Sequence, residues 1–402
     1  MKLKKLLYKM SEEEEKSLKE AFRLCYDVED PVKEPYRSKY KASEMLEVLS
    51  KKHPDEAIRN LASGRRGLIY AITEEKGRAK TCLENVLKYF CPQTQSKEFE
   101  MKLCLVDDIS ERILPFASDV MKFYNVLSTL HYSSENASWH HDLEVSLSIY
   151  SQILELRKKQ AVVKEDSSSL SSLSGCWDNS VDGQAALSLF YLAQMISKRG
   201  QKGDRELSAT FLYRTLEMRL SQLLKDMNST RAIDWSSCVH GMAQYHRMEG
   251  NKIRALSLIE CAEKMLRRCT NVSDWKETER FRDVRAKLSR LRGMLYLDSM
   301  RAAVKKEEDR DEVVFDVAIS DTTRIPKAFP RCEDTTSSSS LQLLDPSYIR
   351  SNLPESMRAA FRVARSGLEN SLKHFKLEGY VSQHVEISRE LCKAYSYVFC
   401  DC

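Results

Sequence analysis

The sequence predicts an all-α protein, a stack of antiparallel helix pairs, and three observations carry that prediction. Between Val181 and Leu266 one helical-hairpin pattern occurs twice. Apolar residues keep a helical spacing through most of the remaining chain. Helix breakers are scarce, since 12 Gly and 9 Pro in 402 residues are roughly half the usual shares, near ~7% and ~5%.

The first central unit places apolar residues at 189, 192, 193 and 196, turns at Arg199-Gly200-Gln-Lys-Gly203-Asp204, and continues at 209, 212, 213, 216 and 220. This is the 3.6-residue period of a buried stripe. The second unit starts at the Asp234-Trp235 pair and carries Val239, Met242, Ala243, Gly250, Ala255, Ile259 and Ala262. A small residue at the eighth position, Gly near the turn, and Ala at the twentieth and twenty-seventh are the tetratricopeptide arrangement. Ala243, Ala255 and Ala262 let two antiparallel helices approach where a branched side chain would hold them apart. One hairpin alone leaves an apolar face wet, so the pairs are expected to stack into a solenoid with a concave inner wall.

In chain order, Ser11-Glu-Glu-Glu14 reads as a capping box opening a helix to about Leu24. Asp27 to Pro35 breaks it, and Glu34-Pro-Tyr-Arg-Ser-Lys-Tyr40-Lys-Ala42 opens the next helix. Gly67, Tyr70, Ala79, Leu83 and Val86 fill the slots of a first repeat. Phe99 to Leu156 reads as a degenerate hairpin with a polar turn at 133–138. The serine-rich stretch at 167–175 is too polar to order itself. Trp275 to Met300 reads as one long mixed-charge helix with a solvated, self-paired face. A charged and serine-rich joint follows, and helices resume past Pro346, with Gly379 as a left-handed cap between two of them. The expected organisation is therefore 1–160 amino-terminal repeats, 161–182 serine-rich linker, 183–300 central repeats, 301–345 poorly ordered joint, and 346–402 the start of a carboxy-terminal helical subdomain.

Charge and cysteine usage narrow the function classes. With 64 basic against 59 acidic residues, the chain is near balance rather than polycationic, so nucleic acid is not an expected partner. The amino terminus lacks the apolar core of a signal peptide, and no apolar run approaches the ~18 residues of a membrane span. The 12 cysteines are scattered through helical patterns, as at Cys82, Cys238 and Cys261, and read as reduced cytosolic thiols. A soluble, cytoplasmic protein without membrane insertion is expected. The sequons at Asn136, Asn228 and Asn271 are then chance matches.

No motif offers a catalytic foothold. Cys-x-x-Cys, His-Glu-x-x-His, a Walker loop and Gly-x-Gly-x-x-Gly are all absent from the sequence. His140-His141 reads as an exposed turn and Cys400-x-Cys402 as a chain end, so neither a metal nor a cofactor is expected. His246 occupies a slot normally held by a large hydrophobe and reads as a packed structural histidine, with His240 on the same helix. The informative residues are Tyr191, Gln194 and Gln244, which lie off the apolar stripe on the first helices of the central repeats. Large polar and aromatic side chains there would face the concavity and recognise a partner.

Three segments together resemble the kinesin-binding protein family, also called KIF-binding protein: Glu34-Pro-Tyr-Arg-Ser-Lys-Tyr40; Phe190-Tyr-Leu-Ala-Gln194 with Asp234-Trp235; and Phe375-Lys-Leu-Glu-Gly-Tyr-Val-Ser-Gln-His384-Val-Glu386. The resemblance spans nearly the whole chain, as a divergent member. It implies a right-handed tetratricopeptide-like solenoid whose concave face grips the motor domain of selected kinesins and blocks their attachment to microtubules. It further implies association with the cytoskeleton, microtubule-associated proteins as further partners, and links to axon outgrowth, microtubule organisation and mitochondrial transport. Tyr191 and Gln194 match inner-helix positions of the family's binding wall, and Gln244 a polar position on the next repeat. Arg219 and Gly241 occupy comparable places but depart in residue type. Members of the family continue with a further helical subdomain, so either a fragment or shortened isoform is expected, or kinesin binding that relies on the amino-terminal half alone. A generic tetratricopeptide adaptor, such as a chaperone cofactor clamping acidic peptide termini, is the alternative, but the helix from Leu187 to Ile196 lacks the Lys and Arg it needs. An RNA-binding helical array is a third reading, with Trp275 to Arg292 as its sole candidate surface.

Overall fold

The computed structural model describes residues 12–26, 28–92, 113–136, 138–160, 180–201, 203–225, 229–268, 275–304, 329, 341–352 and 354–399. Among these the chain is all-helical, with fourteen α-helices and no strand. It divides into two compact units, Met1–Phe211 and Leu212–Cys402. The boundary falls inside one helix, Asp204–Lys225.

The first unit holds α1 (Glu12–Tyr26), α2 (Arg37–Lys52), α3 (Glu56–Ile72), α4 (Lys76–Phe90), a 3-10 turn at Leu114–Phe116, α5 (Ala117–Ser133), α6 (Trp139–Gln160), α7 (Val181–Arg199) and the start of α8 (Asp204–Lys225). From α1 to α6 each helix packs chiefly on its sequence neighbours, and α7 packs on α5 as much as on α6. The Asp55 carboxylate caps α3 by accepting from the Ala57 and Ile58 amides, and Ser180 caps α7 through the Gly183 amide, satisfying donors that the first turn leaves open. Ala21, Leu24, Ala42, Leu46, Ala62 and Ile69 close the core of α1, α2 and α3. The small residue at Gly64 lets the Phe123 ring of α5 lie against the α3 backbone, where a Cβ would meet it at 2.4 Å. Leu143, Leu192, Met195 and Ile196 form the core between α6 and α7.

A polar seam runs through this apolar interior. The Asn125 amide on α5 donates to the Gln184 carbonyl and side-chain oxygens on α7 at 3.0 and 3.1 Å. Ser188 donates to the Asn125 side-chain oxygen at 2.7 Å and lies 2.9 Å from the Ser146 hydroxyl on α6. Asn125, Gln184, Ser188 and Ser146 are all buried, so the seam pins the register of three helices by satisfying groups that would otherwise be orphaned.

The second unit takes the rest of α8, then α9 (Ser229–Met248), α10 (Lys252–Arg268), α11 (Trp275–Val304), α12 (Pro346–Ser351), α13 (Glu355–Leu372) and α14 (Val381–Phe399). α9 begins at Ser229, ahead of the Asp234-Trp235 pair expected to open it, because nothing from Thr230 to Ile233 interrupts a helix. The alanines behave as their spacing predicts: Ala243, Ala255 and Ala262 are each 0% exposed at the α9–α10 contact. Trp235 is buried and donates its indole N–H to the Leu216 carbonyl at 2.9 Å, tying α9 to α8. α11 and α13 cross so closely that a Cβ on Gly293 would sit 2.8 Å from the Ala364 carbonyl oxygen. α14 completes this corner through Ala286, Leu368, Phe375 and Ile387. Gly379 has the left-handed φ of 93° that its sequence position suggests, but it sits in the turn before α14 rather than as the cap of α13, which ends at Leu372 with Lys373 as its C-cap.

Several sequence expectations change. The Ser11 cap, residues 161–179 of the serine-rich linker, Cys400 and Cys402 lie outside the described residues. In the stretch 301–345, expected to be a poorly ordered joint, the described residues pack: Phe329 is buried with its ring 5.2 Å from that of Trp235, and the Leu344 carbonyl accepts from Ser299 at 2.9 Å. His140 and His141 are not in an exposed turn but in the first turn of α6, where His140 pairs with Glu144 one turn on, at 3.2 Å.

Candidate functional site

α7 buries Ala185, Ala186, Leu189, Leu192, Ala193 and Ile196 and leaves Gln194 exposed. Tyr191, three residues earlier on the same face, is half-buried and leans on the Leu143, Leu192, Met195 and Ile196 cluster, its ring 6.1 Å from Phe190. The α7 surface of the first unit therefore offers an aromatic shelf beside a free-standing amide.

In the second unit, the outer face of α9 is marked by Ser237, Gly241, Gln244 and Met248, spaced four, three and four apart and all exposed. Met248 is 77% exposed. A Cβ built on Gly241 would meet nothing within 4 Å, so this glycine lies in open space. The face carries no charge: an amide, a hydroxyl, a thioether and bare backbone. Arg219 differs from the other four candidates, being half-buried with its guanidinium directed at the Cys238 sulfur at 3.8 Å. It links α8 to α9 rather than standing on the open face. Burial raises the Cys238 thiol pKa, and the Arg219 charge counters this only in part.

The two histidines of α9 are structural. His246 is 3% exposed, and its Nε2 is hydrogen-bonded to the Tyr213 hydroxyl at 2.6 Å. Burial, with the nearby Arg254 charge, lowers its pKa to about 4. Burial also lowers His240 to about 4, helped by Lys287 and Arg290 and opposed by Asp283. Both rings are neutral at pH 7. Among the described residues no group of His, Cys, Asp and Glu is placed to hold a metal, the six described cysteines are free thiols, and no helix is long and apolar enough to cross a membrane.

One feature escaped sequence reasoning. The basic residues of α11, expected to pair along their own helix, do so only in part: Arg282 pairs with Glu279 and Lys287 with Asp283, while Arg280 reaches Asp234, Arg290 reaches Glu386 at 2.8 Å, and Arg292 reaches Glu263 at 2.9 Å. A cleft of about 520 Å³ opens between α10, α11 and α13, and Arg267, Arg285, Arg292 and Arg362 all line it. Helical periodicity reveals which residues face a core but not which three helices converge, so no local pattern could have assembled these arginines. Compared with known proteins, the chain matches no family model, no curated protein and no solved structure.

Proposed function

We propose that this protein is a kinesin motor-domain binder that prevents motors from attaching to microtubules and so regulates microtubule-based transport and axon outgrowth. In this reading it acts in the cytoplasm in association with the cytoskeleton, performs no catalysis, and builds its helix pairs as a right-handed tetratricopeptide-like solenoid. The observation that carries it is the amide-bearing open surface of α7 at Gln194, one turn before the exposed Lys198, and the uncharged open face of α9 at Gln244, on helices whose other sides are committed to core. Exposed amides beside apolar side chains suit the flank of a partner helix, a helix-in-groove contact. The three sequence segments that resemble the kinesin-binding protein family supply the identity of that partner.

A pull-down on immobilised kinesin motor domains tests the reading. The wild-type chain is retained, Gln194→Ala combined with Gln244→Ala cuts retention at least several-fold, and Arg219→Lys matters less because Arg219 does not stand on the open surface. Equal retention of the wild type and both variants would remove the assignment of these faces. The peptide-clamping adaptor finds no basic residues between Leu187 and Ile196, and the one observation in its favour lies elsewhere, in the arginine-lined cleft.

A further inference from the structure

We propose that the cleft between α10, α11 and α13 binds an acidic peptide segment of a protein partner, with Arg267, Arg285 and Arg362 receiving its carboxylates and Leu266, Phe281 and Val363 an apolar side chain. The inference does not rest on motor binding, and either can fail without the other.

The charge balance of the cleft is the first argument. Its lining holds four arginines and one glutamate, a net charge of +3. The glutamate, Glu263, is already engaged by Arg292 at 2.9 Å. Arg267, Arg285 and Arg362 are exposed, and none of the three has an ion-pair partner among the described residues. On the same helix, Arg280, Arg290 and Arg292 all find carboxylates, and the one acidic side chain of the cleft lining is taken up by Arg292, which leaves the other three arginines without one. Three guanidiniums from three helices around one opening repel one another, and an anionic occupant relieves that repulsion while accepting forked hydrogen bonds.

The second argument is the chemistry between the charges. Leu266 is buried, Phe281 and Val363 are half-buried, and Ser289, Ser366 and Asn370 supply neutral polar groups. A peptide presents carboxylates, an apolar side chain and backbone amides together, and the cleft answers all three. RNA is disfavoured because a single aromatic ring offers no run of stacking platforms. Inorganic phosphate is far smaller than a cleft of about 520 Å³. The floor is set by the α11–α13 crossing, where the backbones at Ser289, Gly293 and Gly367 are in contact, so the arginines project from a preformed frame.

Fluorescence anisotropy with the full chain provides the test. The probe is a labelled twelve-residue peptide of repeated Glu-Glu-Leu, compared with its Gln-Gln-Leu counterpart, with labelled oligouridine, and in competition with inorganic phosphate. The acidic peptide binds saturably and loses affinity as salt rises, and the Gln peptide binds at least tenfold more weakly. Arg285→Glu and Arg362→Glu each weaken the acidic peptide by about tenfold, a difference of about 1.4 kcal/mol, while Arg214→Glu on α8 leaves it unchanged. Circular dichroism checks the fold of every variant, and Arg285→Gln with Arg267→Gln replaces any reversal that loses helix. The proposal is overturned by absence of saturable binding, by equal binding of the Gln peptide, by oligouridine binding as tightly as the peptide, by displacement with millimolar phosphate, or by an equal loss in Arg214→Glu.

Discussion

Gly293 on α11 and Gly367 on α13 meet at the crossing of their helices, so closely that a Cβ on Gly367 would stand 2.8 Å from the Gly293 nitrogen and 2.6 Å from the Ser289 carbonyl oxygen. Backbone, unlike a flexible side chain, cannot swing aside.

Gly367→Ala therefore forces the two helices apart and strips packing from Leu368 and Ala286 beside the crossing. Overpacking of this kind costs about 1–3 kcal/mol. Gly241→Ala is the contrasting case, since its new methyl enters open space within a helix and gains about 0.8 kcal/mol of helix propensity. Urea unfolding of the two variants should move in opposite directions, and a Gly367→Ala midpoint at or above wild type would show that the crossing is loose.

The seam at Asn125 yields a second expectation. Asn125→Ala removes the acceptor of the 2.7 Å bond from Ser188 and the donor of both bonds to Gln184 in a buried seam, at a cost of about 1–3 kcal/mol. Asn125→Leu should be no kinder, because the same groups remain. Thermal unfolding checks both, and a loss below about 0.5 kcal/mol would mean that the seam is redundant or wet.

Acid should destabilise the second unit. His240 and His246 titrate at about 4 when folded and near 6.5 when unfolded, so the unfolded chain binds more protons between those values. The stability these neutral rings contribute is present above pH 6.5 and is lost as pH falls toward 4. At pH 5 the loss is on the order of 2 kcal/mol per ring. In the first unit the sign is opposite: hydrogen bonding to Asp142 raises the pKa of His131, and burial raises that of Asp142, so both favour the folded state as pH falls. Histidine NMR signals followed from pH 7.5 to 5 should show His246 not titrating. A midpoint near 6.5 would contradict its burial against Tyr213.

The helix pairs of the central region are legible because burial leaves a local mark. Ala243, Ala255 and Ala262 recur at the spacing that close approach demands, and Gly379 stands where a left-handed residue must. Tyr191, Gln194, Gly241 and Gln244 are recognisable as surface positions for the same reason, by lying off the stripe. Arg219 was not, because its contact with Cys238 joins two helices whose relative rotation no period reports. The Gly293–Gly367 crossing and the arginine cleft are hidden for a related reason: their residues come from helices separated by a long stretch of chain, and nothing in the spacing says that they meet. The buried position of Phe329 was masked by the charged and serine-rich residues on either side of it.

Whether the chain takes motors off microtubules is answered most directly by co-sedimentation. Kinesin motor domain, stabilised microtubules and increasing amounts of the protein are spun together, and the motor remaining in the pellet is measured. The motor should leave the pellet in proportion to added protein, and Gln194→Ala with Gln244→Ala should return it. Motor that stays in the pellet at every concentration of the wild-type protein would contradict the proposal.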